Sequence, residues 1–244
     1  MISHYPGSKN ASGIIPFLIN NIPYHTEYAE YFCGSAQLFR YKKKAKTTNI
    51  LNDINPEIIA ALKAEIGNKA ALFSTNNAIA WLELDRPKKQ QHKFIYLDPP
   101  YPFDSRKSKR PIYKYEMNQD QHLQLLTSII KLDYNIMIST RENQLYDDIL
   151  TLADWRKKTF NTIDRGGRAT EVIYMNYQEP EILHQYDYLG EDRTRRQMVR
   201  RKVSAFSNKI DRLPEYEKHA LIMELVKKES VIVNHFMSQH EATA

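Results

Sequence analysis

The chain has 244 residues, 42% of them hydrophobic, and a formal charge of +6 with an isoelectric point near 9.1. That length supports one substantial core with a small accessory element, and no run approaches the roughly 18 apolar residues of a membrane span or shows a signal-peptide pattern, so a soluble, intracellular protein is expected. The single cysteine, Cys33, excludes an internal disulfide and a cysteine-cluster zinc site, and the basic charge suits a polyanion partner.

The chain begins with His4-Tyr5-Pro6-Gly7-Ser8-Lys9, a turn-prone segment, and continues into an amphipathic stretch from about Ser12 to Asn21 with Ile14, Ile15, Leu18 and Ile19 at helical spacing. Tyr28 to Phe32 reads as a strand, Cys33 to Ser35 as a tight turn, and Ala36 to Tyr41 as the start of a helix. Gly34 permits close approach to the backbone at that turn. Nineteen residues later stands Asp53, at the end of a second strand. This is the spacing of about 20 residues at which nucleoside-binding sheets grip ribose hydroxyls. Asp53 is therefore the candidate ribose ligand, although Asn55-Pro56 next to it also announces a helix over Glu57 to Ile66, for which Asp53 could be the N-cap.

A short strand over Ala71 to Ser74, a helix reaching about Leu84 and a polar connector from Arg86 to Lys93 lead to Phe94-Ile-Tyr-Leu-Asp-Pro-Pro-Tyr101. Four apolar or aromatic residues form a buried central strand, and Pro99 and Pro100 stop it abruptly at Asp98. The stop leaves a carboxylate, prolyl carbonyls and an aromatic ring at the carboxyl edge of the sheet, where open α/β sheets bind ligands. Beyond it, Pro102 to Tyr115 interleaves Arg106, Lys107, Lys109, Arg110 and Lys114 with Tyr113 and Tyr115, a pattern suited to phosphate contact and base stacking. A helix over Asp120 to Leu132, a strand over Tyr134 to Ser139, a helix over Asn143 to Leu152 and two strands, Lys158 to Ile163 and Glu171 to Tyr177, follow. The turn Arg165-Gly166-Gly167-Arg168 between the last two either touches phosphate or closes a hairpin.

Alternating strands and helices imply an α/β fold with a mostly parallel sheet and helices on both faces. From His184 the character changes. Arg193 to Lys202 holds six Lys or Arg, among them Arg195, Arg196 and Arg200, and no acid. Phe206, Ile210 and Leu213 continue a helical spacing to Pro214, and Glu215 to Phe236 reads as a second helix. The expected division is a sheet domain over 1–183 and a basic helical extension over 184–244, either a stabilising cap or a DNA clamp.

Asp98-Pro99-Pro100-Tyr101 resembles the catalytic motif of methyltransferases that modify exocyclic amino groups of nucleobases. The amino lone pair of adenine is delocalised into the ring, so the nitrogen becomes nucleophilic when its hydrogens are held by fixed acceptors. Asp98 and the Pro99 carbonyl are suited to that role, and Tyr101 to stacking on a base turned out of the duplex. Taken with Tyr5-Pro-Gly-Ser-Lys9, Glu30-Tyr-Phe-Cys-Gly34-Ser and Asn52-Asp53-Ile-Asn55, the chain resembles the Dam-like DNA adenine methyltransferases over roughly Tyr5 to Tyr177. The resemblance implies a Rossmann-like methyltransferase sheet with a C-terminal helical extension. It implies S-adenosylmethionine as methyl donor, no metal, double-stranded DNA as partner, and a cytoplasmic place in a bacterial or phage-infected cell, with restriction-modification among the roles. By matching position, Tyr5, Lys9, Phe32, Gly34, Asp53 and Asp98 touch the cofactor. The sequence carries no signal for the recognised word or the oligomeric state.

Two departures stand out. Ala36 replaces a second glycine and Tyr31 a common proline. The 44 residues between Asp53 and Asp98 also leave no room for the inserted recognition domain of many relatives, so readout falls to Pro102–Tyr115 or to the tail. Two other readings stay open: a ribosomal RNA guanine methyltransferase with the same four-residue motif, and a non-catalytic nucleic-acid-binding regulator on the same scaffold.

Overall fold

Successive residues of β1 (Glu27–Tyr31) serve two different interiors, because side chains alternate across a strand. The computed structural model describes residues 13–85, 92–106, 111–164 and 167–241. Among them β1 is joined by β2 (Thr48–Asn52), β3 (Leu72–Ser74), β4 (Lys93–Leu97), β5 (Asn135–Arg141), β6 (Arg156–Asp164) and β7 (Gly167–Met175). These form a seven-stranded sheet in the order β3-β2-β1-β4-β5-β7-β6. β1 to β5 pair in parallel, and β7 enters antiparallel between β5 and β6.

On one face, α1 (Ile14–Ile19), α2 (Gln37–Tyr41) and α3 (Pro56–Ile66) bring Leu18, Phe39 and Leu62 against Tyr28, Phe94 and Tyr96. On the other, α4 (Ala78–Leu84), α5 (Gln119–Ile129) and α6 (Gln144–Leu152) bring Leu82, Leu126 and Leu150 against Ala29, Ile95 and Leu97. This is the mostly parallel sheet with helices on both faces expected from the alternation, in the Rossmann-like class that the resemblance implies. Short polar residues start the helices: the side chains of Asn55, Asn77, Asn118 and Asn143 each accept a backbone N–H of the turn that follows.

Compact packing divides the chain into two units between Tyr188 and Leu189. Residues 182–184 belong to the sheet unit: Pro23 and Leu183 form an antiparallel bridge, the Tyr24 amide donates to Ile182 O at 3.1 Å, and the His25 and His184 rings stack at 3.7 Å. The second unit contains α7 (Arg193–Asp211), α8 (Glu215–Lys228) and α9 (Ser230–Glu241), with Asp192 capping α7 through the Arg195 amide at 2.7 Å. The continuous helix expected over Glu215 to Phe236 is broken at Glu229, whose φ of −108° and ψ of 37° leave the helical region. No proline or glycine marks that break.

Phe94 is the most enclosed aromatic of the central strand, fully buried and stacked on Tyr28 at 6.1 Å. Phe94→Ala is expected to lower the unfolding free energy by about 3–5 kcal/mol, seen as a fall in the urea midpoint at unchanged slope.

Candidate active site

The strand order reverses between β1 and β4, whose last residues, Tyr31 and Leu97, are paired neighbours. The chain leaves the two strands in different directions, and the opening between their carboxyl ends is a ligand crevice. A cavity of about 350 Å³ occupies it, within the range of small-molecule sites. Glu30, Phe32, Gly34, Asp53, Asp98 and Pro99 line its inner side, and Tyr113 and Tyr115 its outer wall.

The floor is a turn built from left-handed residues. Phe32 leaves β1 at φ 58°, Gly34 follows at 47° and Ala36 at 51°. The Ala36 amide donates to Cys33 O at 2.6 Å and closes the turn before α2. Asp53 clamps it from the side: Oδ2 accepts the Gly34 amide and Oδ1 the Asn55 amide, both at 2.9 Å. Capping of α3 falls to Asn55, which accepts the Glu57 amide at 3.1 Å, and Asp53 is left to the crevice. Burial pushes the Asp53 carboxyl up, against the pull of these two amides.

Two further carboxylates share the cavity. Glu30, 2% exposed, accepts the Tyr28 hydroxyl at 2.7 Å and the Phe39 amide at 3.1 Å through one oxygen. Burial, with a smaller contribution from the nearby Asp98 charge, pushes it up to about 7 against those hydrogen bonds. Asp98 begins the proline stop, and its Oδ1 accepts the Ser139 hydroxyl at 2.8 Å. Ser139 in turn lies 2.9 Å from the Tyr96 hydroxyl. Glu30, Ser139 and Tyr96 were not among the expected site residues. The available signal was a polar residue at an inward position near the carboxyl end of a buried strand.

The outer wall hangs on Glu116. Its Oε1 accepts the Ile112 and Tyr113 amides at 2.7 and 3.0 Å, while Arg106 grips the same carboxylate with two nitrogens at 2.9 and 2.6 Å. Partial burial raises the Glu116 carboxyl, but the hydrogen bonds from Arg106 and the two amides outweigh it and hold the group below its ordinary value. Arg106 is itself buried, with its guanidinium 4.6 Å from the Phe103 ring and 5.0 Å from Tyr113. Its charge is spent on organising the loop. Lys114, exposed, reaches Glu57 at the start of α3 at 2.8 Å.

Pro100 lines the cavity beside Pro99. Tyr101 is buried outside that lining, its hydroxyl donating to Glu171 at 2.6 Å and its ring 5.8 Å from the Arg141 guanidinium. Arg195 and Arg200 are exposed on α7, and Arg196 is half-buried there with a bond to Gly190 O at 3.4 Å. Tyr5, Lys9, Lys107, Lys109 and Arg110 lie outside the described residues, as do Arg165 and Gly166.

Residues 5–90 match the family model of D12 class N6 adenine-specific DNA methyltransferases. The chain is an S-adenosylmethionine-dependent methyltransferase. No curated protein matches it by sequence. Solved structures similar to this methyltransferase include a Haemophilus influenzae protein described as a methylase, at 15% identity and TM-score 0.43, covering 67% of this chain and 84% of that one. TrmK of M. capricolum with S-adenosyl-homocysteine covers 89% and 94% at 12% identity and TM-score 0.41. Magnesium protoporphyrin IX methyltransferase from Synechocystis, also with S-adenosyl-homocysteine, covers 67% and 80% at 12% and 0.45.

The methyltransferase's cavity fits the cofactor by its chemistry: buried carboxylates for an ammonium and for ribose hydroxyls, beside apolar walls from Leu38, Ile79 and Met117. Among the described residues, no group of three or more His, Cys, Asp or Glu is placed to hold a metal ion. Two predictions follow from the floor and its charges. Ala36→Gly removes a side chain from a left-handed position and is expected to stabilise the fold by up to about 1 kcal/mol, measured by denaturant titration. The raised Glu30 means that the folded state binds the extra proton between the ordinary 4.5 and about 7, so its contribution falls as pH rises through that window. His122 and His184, buried and held down to about 4, act in the opposite direction between about 4 and 6.5. The Glu30 contribution is therefore the difference between wild type and Glu30→Gln, with the variant gaining relative stability from pH 4.5 to 7 in parallel denaturation curves.

Proposed function

We propose that this methyltransferase acts on the exocyclic amine of adenine in a specific sequence of double-stranded DNA. The observation that carries the reading is Asp98, the acid of Asp-Pro-Pro-Tyr, lining the crevice between β1 and β4 in a chain whose residues 5–90 match the adenine-specific DNA family. Asp53 accepts the ribose hydroxyls of the cofactor, and Glu30 pairs with the ammonium of its amino-acid part. Phe32 and Gly34 form the surface it rests on, and the family resemblance adds Tyr5 and Lys9 as further contacts. Once bound, the cofactor supplies a methyl group activated by a sulfonium, and the protein supplies alignment and the exclusion of water.

The target adenine rotates out of the duplex into the crevice beside Asp98. Tyr101, expected from the motif to stack on it, is buried against Glu171 and Arg141 and holds the end of the motif instead. The Asp98 carboxylate and the Pro99 carbonyl accept its two amino hydrogens, keep the lone pair directed at the methyl carbon, and meet the positive charge that grows on nitrogen with a preorganised anion. One such group is typically worth about 3–4 kcal/mol. The new nitrogen–carbon bond forms as the carbon–sulfur bond breaks, and the surplus amino proton leaves through Asp98 to solvent. Pro100 keeps the segment rigid beside Pro99. Phosphate contact comes from Lys107, Lys109 and Arg110, with Tyr113 at the cavity mouth, and from Arg195, Arg196 and Arg200 of the extension, which acts as a basic clamp. Arg106 contributes by holding the loop through Glu116.

Transfer of a labelled methyl group from S-adenosylmethionine to unmethylated duplex DNA, followed by nucleoside mass spectrometry, tests the reading. Label is expected in N6-methyladenine, with loss of at least about 100-fold in Asp98→Ala while the fold stays largely intact. Label on ribosomal RNA alone, or on neither nucleic acid, overturns it. For the extension, alanine at Arg195, Arg196 and Arg200 is expected to reduce the slope of log affinity against log salt by about 0.9 per lost contact, as measured by DNA titration at several salt concentrations.

A further inference from the structure

Three polar groups stand on the same face of two adjacent parallel strands. Tyr96 and Asp98 are two apart along β4 and its end, so alternation turns them the same way. Ser139 shares a side of β5 with Met137, which is the registered partner of Tyr96. Continuing that register puts Ser139 beside Asp98, with its hydroxyl 2.8 Å from Asp98 Oδ1 and 2.9 Å from the Tyr96 hydroxyl. Ser139 and Tyr96 are each 1% exposed.

The direction of these bonds follows from counting protons. An ionised carboxylate only accepts, so the single hydroxyl proton of Ser139 goes to Asp98. The Ser139 oxygen is then the acceptor for Tyr96, whose hydroxyl must donate. The order is Tyr96 Oη–H to Ser139 Oγ, and Ser139 Oγ–H to Asp98 Oδ1. Low local dielectric strengthens each bond, and the first polarises the second.

We propose that Ser139, with Tyr96 behind it, is the positioning pair that fixes the rotation of the Asp98 carboxylate before the target amine arrives. The pair rests on the reading of Asp98 given above. An acceptor held in place by a buried donor need not reorganise when charge develops on the amine, whereas one free to rotate must be ordered during the reaction. The effect belongs to the transition state, so it appears in kcat and leaves the cofactor KM near its original value. Tyr96 acts through Ser139, so the two substitutions do not combine independently.

The test is steady-state methyl transfer to duplex DNA by wild type, Ser139→Ala, Tyr96→Phe and the double variant, together with the pair Ser139→Thr and Ser139→Val. The last two side chains are similar in shape and differ by the hydroxyl. The expected results are a kcat loss of about 10- to 100-fold in Ser139→Ala with cofactor KM within about 3-fold, a smaller loss in Tyr96→Phe, and a double variant no worse than Ser139→Ala. Ser139→Thr is expected to exceed Ser139→Val by at least about 10-fold in kcat. Should the Ser139 variants fail to fold, Tyr96→Phe, which removes one oxygen, still decides, because wild-type kcat in that variant overturns the relay. Equal rates for the Thr and Val variants, or losses that multiply in the double variant, also overturn it. A wild-type enzyme that transfers no methyl to DNA overturns the assigned function instead, and the two failures are distinct.

Discussion

The structure depends on two neighbouring parallel strands that end level with one another and then send their chains apart. Tyr31 and Leu97 are the last paired residues of β1 and β4. Past them, Phe32 turns into a left-handed bend on one side, and two prolines stop the chain on the other. Neither segment can fill the gap left by its neighbour. The cavity is the volume that remains, and Glu30, Asp53 and Asp98 line it because of that single reversal of strand order.

Such a gap concentrates negative charge. Glu30, Asp53 and Asp98 line one cavity, and each carboxylate is held by donors from the surrounding frame: Tyr28 and the Phe39 amide, the Gly34 and Asn55 amides, and Ser139. These bonds do not compensate fully for burial, since Glu30 and Asp53 are both displaced upward. A cationic ligand relieves the conflict, because an opposite charge favours the ionised carboxylate. The apo site is thus electrostatically suited to a molecule that carries an ammonium and a sulfonium. The methionine part of S-adenosylmethionine has both.

The opposite wall reaches its shape by another route. Arg106 and Glu116 are ten residues apart, and their paired contact gathers the Ile112 and Tyr113 amides onto one carboxylate. A buried pair of this kind contributes geometry more reliably than stability, since desolvation offsets much of the attraction. What it fixes here is the placement of Tyr113 and Tyr115 over the crevice.

The chain's local signals determined a large part of this protein. The helix start announced by Asn55-Pro56, the glycine turn after Tyr28 to Phe32 and the proline stop after Asp98 act within a few residues of themselves. The alternating elements, the α/β class and the carboxyl-edge site are therefore legible from order alone, while the Rossmann-like class came from the resemblance. The unmarked break at Glu229 was not. Partnership was equally hidden. Arg106 read as one of a run of surface cations, and only the folded loop gives its charge to Glu116. Tyr101 read as the ring that stacks on a target base, and the fold buries it and ties its hydroxyl to Glu171, 70 residues away. Ser139 gave no sign of touching Asp98 because that contact depends on the register of β4 against β5. A sequence fixes which face of its own strand a side chain occupies through the two-residue period, but which residue of another strand stands opposite is set only when the whole sheet packs.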